Sequence, residues 1–318
     1  MRASPLAAAL GAAVAVALGL PPSVHAQPSA IPASNAATSP PSPPSKAPPP
    51  PRAPSRAPKG DYAAPAAVPL PPDAIKRLKS GDLGQIKSAL DDVRVSARAG
   101  AAAVPAIADL LKQGLPPAVA QSAIETLGET ASESASEVLG WYAHHRNVAL
   151  RRAAIEAIGK TRGPIAIKTL RASLSDPDEN VRGLSATALG DLKAREAVGD
   201  LFVALDHKVE EAAVSIGQLC DPADCERLAG KLGSVPFDVM TGGLDQVLLR
   251  PAKDVDDETK IKIVGRVREL GTGETNQFLR DVQTKWPPKS APRVKQAIDQ
   301  AVIATSGSPG SAAPENAP

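Results

Sequence analysis

Apolar residues recur along the middle of the chain with the period of an α-helix. The whole pattern repeats at intervals long enough for one pair of helices. Four of the apolar segments end in Gly128, Gly159, Gly190 and Gly217, at nearly equal intervals of which the last is slightly shorter. Apolar or small residues stand one, four and five positions before each glycine, which places them on one helical face. The pattern predicts a helix that ends at each glycine, with the glycine as a C-cap of positive φ.

A second apolar helix is predicted after each glycine. Beyond Gly159, for example, Ile167, Leu170 and Leu174 occupy one face of a helix. The same spacing returns after Gly271 and makes Trp286 a predicted core residue, whereas residues 237–250 contain paired glycines and are interpreted as an irregular repeat. Because one helix pair cannot bury its apolar face alone, consecutive pairs are expected to stack.

The segment 175–182 resembles a HEAT repeat. In it, Asp176 is predicted as a helix N-cap, Pro177 as the first helical residue and Glu179 as the second member of a capping box. Arg182, together with Arg151 one repeat earlier, is expected to pair with an acidic residue at a repeat junction.

The similarity is closer still to the short HEAT-like repeat of bilin lyases, and it covers about residues 82–286. It implies an all-α fold, an α-solenoid of about six or seven stacked antiparallel helix pairs, which we assign to residues 73–305. HEAT solenoids serve mainly as scaffolds and binding surfaces, so the resemblance says more about fold than about chemistry.

Both ends of the chain differ from this repeat region in composition. Residues 1–26 have the pattern of a secretory signal peptide, with Arg2, an apolar stretch and small residues before a predicted cut ahead of Gln27. The apolar stretch is about 15 residues long, shorter than a bilayer span, so an uncleaved anchor is the less favoured alternative. We therefore expect export to the periplasm or cell exterior, and no transmembrane segment in the mature chain.

Nineteen of the 33 prolines lie in residues 1–72. Residues 27–72 are predicted to be a disordered Pro-rich linker, or alternatively a ligand for a proline-binding groove, and residues 306–318 a disordered tail. The linker also contains four basic residues, interpreted as solvated or as a weak contact with an anionic envelope: Lys46, Arg52, Arg56 and Lys59.

Charge and aromatic content argue against nucleic-acid binding. The chain has a formal net charge of +2, and the linker alone carries +3, so the repeat region is close to neutral. Aromatic residues make up only 2 % of the chain, too few for a base-stacking platform.

Cys220 and Cys225 are predicted to form a disulfide across a helix–turn–helix corner, since the chain is expected in an oxidising compartment. Two unpaired thiols, one of them buried, are the alternative.

The most localised candidate for partner recognition is the cluster Trp141, Tyr142, His144 and His145, because Trp and Tyr are enriched in binding hot spots. Arg171 and Phe202 are assigned to the same surface. A polar helix end, with histidines that complement the helix dipole, is the alternative interpretation. A metal site is not expected, because adjacent histidines on a helix point about 100° apart.

The sequence contains none of the common catalytic or nucleotide-binding motifs, so we expect neither an enzyme nor a cofactor. The favoured function is a protein-binding scaffold that uses the concave surface lined by the second helices, with a partner that the sequence does not identify. The alternatives are a lyase-type accessory factor acting on a cofactor-bearing protein, and an envelope-associated structural protein held by the basic linker.

Overall fold

The computed structural model describes residues 68–288 and 290–307, which fall within one compact unit, Ala63–Pro318. The predicted signal peptide and almost all of the predicted linker and tail lie outside the described residues. Over the described residues the chain is helical, with short 3₁₀ helices at Ala97–Ala103, Glu133–Ala135 and Arg195–Ala197. The α-helices are α1 Ala74–Leu78, α2 Leu83–Ser96, α3 Val104–Gln113, α4 Pro117–Thr130, α5 Ser136–Tyr142, α6 Val148–Lys160, α7 Pro164–Ser173, α8 Glu179–Asp191, α9 Val198–Asp206, α10 Glu211–Leu219, α11 Pro222–Ala229, α12 Phe237–Leu249, α13 Asp257–Leu270, α14 Gly273–Lys285 and α15 Pro292–Thr305.

The helices stack in two rows. From α2 to α14, each even-numbered helix packs on the next even-numbered one, and these helices form the first row. The odd-numbered helices from α3 to α15 form the second row, in which α3 packs on α5, α5 on α7, α11 on α13 and α13 on α15. The described residues therefore form an α-solenoid of seven helix pairs, α2–α3 to α14–α15, which confirms the predicted all-α fold.

The repeating glycines are contact points between first-row helices, and the prediction that they cap helices with positive φ was wrong. Gly128, Gly159, Gly190 and Gly217 lie inside α4, α6, α8 and α10, and none of them has a positive φ. A Cβ added at Gly128 would come within 2.9 Å of the Ala157 Cα, and one added at Gly217 within 2.2 Å of the Gly243 carbonyl oxygen. Such distances are too short for a real side chain, so glycine is what lets these backbones approach.

Helix α12 continues this series, although residues 237–250 were interpreted as an irregular repeat. Gly243 follows Gly217 at nearly the same interval at which Gly217 follows Gly190, and a Cβ at Gly243 would lie 2.3 Å from the Ala213 carbonyl oxygen. Helix α12 is therefore a regular first-row helix, and α13 is its second-row partner instead of the start of a new pair. Gly271, which the sequence aligned with the other glycines, does have a positive φ of 60° and caps α13.

The core is built from small and branched aliphatic side chains on the facing sides of the two rows. Ala154, Ala186 and Ala213 are fully buried in successive first-row helices, and Leu139, Leu170 and Leu201 are fully buried in successive second-row helices. Trp286 is buried as predicted. Alanine in the first row keeps the helices close, which adds to the effect of the glycines.

Ion pairs connect α6 to the junction before α8. The Arg151 guanidinium donates two hydrogen bonds of 2.9 Å to the Asp176 carboxylate, which confirms the predicted pairing of Arg151. The Arg152 guanidinium likewise donates two hydrogen bonds to the Asp178 carboxylate, of 2.9 and 2.6 Å. Bidentate arginine–carboxylate pairs of this kind have a defined geometry, so they fix the position of one repeat relative to the next.

Two details of the predicted repeat start differ in the structure. Asp178, and not Asp176, is the N-cap of α8, and its carboxylate accepts a hydrogen bond of 3.1 Å from the Val181 amide. Arg182 pairs with no acidic side chain among the described residues; its guanidinium instead donates to the Asp176 carbonyl oxygen at 2.9 Å. Helix α8 begins later than predicted. Arg151 makes the same contacts with the carbonyls of its own junction, so what Arg182 lacks is the acidic residue of the next junction, where His207 stands in place of Asp176.

The Asp178 pair makes a testable contribution to stability at acid pH. The Arg152 guanidinium, assisted by the Val181 amide, lowers the pKa of Asp178 from 3.8 to about 2. When folding lowers the pKa of a carboxyl group, that group stabilises the folded protein at pH values above the pKa it has in the unfolded chain. This stabilisation is lost as the pH falls through the pKa that the group has in the folded protein. We expect Arg152→Gln to be less stable than the wild type at neutral pH, and this difference to disappear between about pH 4 and about pH 2. Urea unfolding of both proteins at a series of pH values measures this difference in the free energy of unfolding.

The matched control for this experiment is Arg266→Gln, which removes an exposed arginine paired with Glu269 within one helix. Exposed pairs of this kind contribute little, so this variant should follow the wild-type stability at every pH. A constant difference between Arg152→Gln and the wild type across the acid range would contradict the assignment of the low pKa to this pair.

Candidate functional site

The predicted recognition cluster lies at the end of α5 and in the turn that follows. Trp141 and Tyr142 are the last two residues of α5, and His144 and His145 lie between α5 and α6. Arg171 is on α7 and Phe202 on α9, so the predicted residues belong to three second-row helices. The structure gives them different environments.

Trp141 is the main exposed aromatic side chain of this cluster, with 52 % of its surface accessible. The ammonium nitrogen of Lys112, from α3, lies 5.0 Å from the centroid of its ring. A cation at this distance is attracted by the negative face of the indole. The contact steadies the ring and leaves much of it open to solvent.

Tyr142 and His145 are anchored side chains. The Tyr142 hydroxyl donates a hydrogen bond of 2.9 Å to the Leu111 carbonyl oxygen of the preceding second-row helix, and its ring stacks on His145 at 5.5 Å. Burial raises the pKa of Tyr142. Nδ1 of His145 accepts a hydrogen bond of 3.0 Å from the Asn147 amide. These two residues hold the end of α5 in place, while Trp141 and His144 face solvent.

Arg171 is exposed and paired with the next second-row helix. Its Nε donates to the Asp200 carboxylate of α9 at 2.5 Å, and both side chains retain about two-fifths of their surface. Arg171 is therefore accessible to a partner, but a partner's carboxylate would compete with Asp200.

Phe202 was assigned to the exposed surface, and this assignment was wrong. Its side chain is fully buried, and the Arg227 guanidinium of α11 covers its ring at 3.9 Å from the centroid. Leu201, Phe202 and Leu205 lie at helical spacing, so they share the core face of α9. Phe202 is a packing residue and cannot contact a partner.

Two exposed apolar residues were missed by the sequence reasoning. Ile165 on α7 is 46 % exposed and Val203 on α9 is 56 % exposed. With Trp141 they give one exposed apolar side chain on each of three consecutive second-row helices, and we call Trp141, Ile165 and Val203 the second-row surface. Neither Ile165 nor Val203 occupies one of the repeating apolar positions that the sequence assigns to the core, and this was the available signal that they face outward.

Cys220 and Cys225 form a disulfide in the structure and are both buried. The bond joins the end of α10 to the middle of α11. The Arg250 guanidinium donates a hydrogen bond of 2.8 Å to the Cys220 carbonyl oxygen, which connects this corner to the end of α12.

Within the part of the chain that the structure describes, no three His, Cys, Asp or Glu side chains are grouped as metal ligands. Among these same residues, no helix is long and apolar enough to cross a membrane.

Comparison with known proteins agrees with the observed repeat geometry. Residues 104–178 match the family of HEAT repeats. The repeat region is a HEAT-like α-solenoid. The match covers α3 to α7 and includes Gly128 and Gly159 of the glycine series. No curated protein sequence matches the HEAT-like chain significantly.

Several solved structures are similar to the chain. The complex of CpcE and CpcF of phycocyanin lyase from Nostoc sp. is 17 % identical, with a TM-score of 0.41, over 77 % of this chain and 98 % of that one. A designed armadillo repeat protein in complex with the peptide (KR)4 is 16 % identical, with a TM-score of 0.34, over 74 % and 98 % of the two chains. Uso1-2 is 12 % identical, with a TM-score of 0.41, over 74 % and 50 %. Identities this low are not a basis for assigning function.

Proposed function

We propose that this protein is an exported, non-catalytic scaffold that binds a protein partner through its second-row surface. The observation that carries the proposal is the presence of Trp141, Ile165 and Val203 as exposed apolar side chains on three consecutive second-row helices. Single exposed apolar residues are common on any protein. Their recurrence on successive repeats of a solenoid is typical of an extended binding surface.

Trp141 is the proposed anchor of this surface. It is large and amphipathic, and the contacts of Lys112 and Tyr142 with neighbouring groups hold its surroundings in one arrangement. A partner that covers the indole therefore removes apolar area from water with little further ordering, which is what makes tryptophan effective in binding hot spots. His144, which is exposed beside it, would contribute polar contacts at the rim.

Site-specific photo-crosslinking tests the partner surface. A photoreactive phenylalanine analogue is placed at position 141, 165 or 203 of the full chain in its native cells, and at position 95 as the control. Val95 is 67 % exposed but lies on the first-row helix α2. We expect one common crosslinked protein at the three second-row positions and not at position 95. No crosslink at these positions, or the same product at position 95, would contradict the proposal.

Once a partner is identified, the affinity of Trp141→Ala for it measures the anchor role. Truncation of a hot-spot tryptophan costs about 2 kcal/mol or more, which corresponds to a dissociation constant raised at least about thirtyfold. Val95→Ala, which removes exposed apolar area of the first row, should bind as tightly as the wild type.

Export is proposed from the residue pattern of segment 1–26, which lies outside the described residues. The expected mature chain begins at Gln27, because Val24 and Ala26 supply the small residues that signal peptidase requires. Cell fractionation shows in which compartment the protein is found, and intact-mass and N-terminal analysis show where the mature chain begins. Protein that remains in the cytoplasm with residues 1–26 attached would contradict export.

A further inference from the structure

Four basic side chains line one cavity at the carboxyl ends of α8, α10 and α12. The cavity has a volume of about 560 Å³, and the four residues are Lys193, Arg195, Arg250 and Lys253. Lys193 and Arg195 come from the connection between α8 and α9, and Arg250 and Lys253 follow α12. Three repeats of the solenoid therefore contribute to the same site, since Gln218 and Leu219 of α10 also line it.

Arg250 is held in position by the backbone of α10. Its Nη1 donates to the Gly217 carbonyl oxygen at 3.3 Å and to the Cys220 carbonyl oxygen at 2.8 Å. The Arg250 carbonyl in turn accepts a hydrogen bond from the ammonium of the buried Lys260. The guanidinium is thus a fixed, half-buried cation at the wall of the cavity.

The other three cations have no partner among the residues that the structure describes. Lysines and arginines near a helix C-terminus can contact its last carbonyls, and Arg250 does so for α10. Lys193, Arg195 and Lys253 make no such side-chain contact within this part of the chain, and none of them forms an ion pair there. Helix capping therefore engages one of the four cations, and the other three are exposed and not held by another described residue.

The charges around the cavity favour a ligand with two negative charges. Asp191 and Asp254 also line it, so four positive and two negative side chains leave a net charge of +2. Burial lowers the pKa of Arg250; the charge of Asp254 opposes this shift, and that of Arg195 adds to it. Arg195 and Arg250 line the same cavity, so an anion bound there lies near both guanidinium groups.

The remaining wall indicates how a ligand would be recognised. It contains the amide side chains of Gln218 and Gln246 and the backbone at Gly190, and no aromatic residue among the described residues that line it. Its volume lies in the range of small-molecule sites. Hydrogen bonds and charge would therefore select the ligand, and stacking on an aromatic ring would play no part.

We propose that this cavity binds a phosphate-bearing small molecule, with the phosphate held by the cationic side chains that line it, Arg250 and Arg195 foremost. A phosphate monoester carries about −1.5 to −2 charges at neutral pH, which matches the net charge of the cavity. Guanidinium groups bind its oxygens in a planar, two-bond geometry, and Lys193 and Lys253 add point charges. The proposal is independent of the second-row surface, which lies on other residues, and of the partner assigned to it.

Isothermal titration calorimetry on the full chain tests the proposal with pyrophosphate and inorganic phosphate as probes, and with sulfate and citrate as comparison anions. We expect saturable 1:1 binding of pyrophosphate or phosphate, at least about tenfold tighter than that of sulfate or citrate. Absence of saturable binding of both phosphate probes up to about 10 mM would overturn the proposal. Sulfate or citrate that binds as tightly as the phosphates would overturn the assignment to phosphate.

A pair of double variants locates the binding. Arg195→Ala with Lys253→Ala removes two exposed cations of the cavity, and Arg98→Ala with Lys168→Ala removes two exposed cations elsewhere, so the change in total charge is equal. We expect the first variant to weaken pyrophosphate binding at least about tenfold and the second to leave it within about twofold. Equal weakening in both variants would show that the anion responds only to overall charge, and would overturn the site. Thermal unfolding followed by circular dichroism confirms that both variants are folded.

Discussion

The structure depends on the close approach of consecutive first-row helices, which glycine and alanine make possible. At Gly128, Gly159, Gly190 and Gly217 an added Cβ would lie 2.2 to 3.1 Å from an atom of the next first-row helix. Where α8 meets α10, the Ser215 hydroxyl also donates a hydrogen bond of 2.8 Å to the Ala186 carbonyl oxygen across the contact. The first row is therefore a closely packed stack, in which Gly128 and Gly217 approach the backbone of the next helix and Gly159 and Gly190 approach its side chains.

This stack positions the proposed binding surfaces. Trp141 owes its position to contacts made by α3, since Lys112 covers its ring and the Leu111 carbonyl anchors the neighbouring Tyr142. The basic cavity likewise combines α8, α10 and α12, whose spacing is set by Gly190 and by the Gly217–Gly243 contact. Neither surface exists within a single helix pair, so both depend on the regularity of the solenoid.

The sequence predicts the fold well because its repeat is visible in one dimension, as glycines at nearly equal intervals with apolar residues at fixed distances from them. It does not show what the glycines do, because a C-cap and a helix crossing both favour glycine, and only the neighbouring helix distinguishes them. The same limit led to the misinterpretation of α12, in which Gly243 continues the series and Gly271 interrupts it. For the candidate site, the sequence predicts the exposed Trp141, and its role in binding stays a prediction. Phe202 was misplaced, because it shares the core face of α9 and Arg227 from the next second-row helix covers its ring.

A double-mutant cycle at Gly217 and Gly243 tests the central role of the glycine contacts most directly. Each glycine would place a Cβ against the backbone of the other helix, at 2.2 and 2.3 Å. Forced separation of packed elements typically costs about 1–3 kcal/mol, so we predict that Gly217→Ala and Gly243→Ala each lower the free energy of unfolding by about 2 kcal/mol. The double variant should lose clearly less than the sum, because both changes widen the same contact. Gly265→Ala, on α13 with open space around it, is the control and should gain up to about 1 kcal/mol from helix propensity. Gains in stability at Gly217 and Gly243 equal to that at Gly265 would contradict the account.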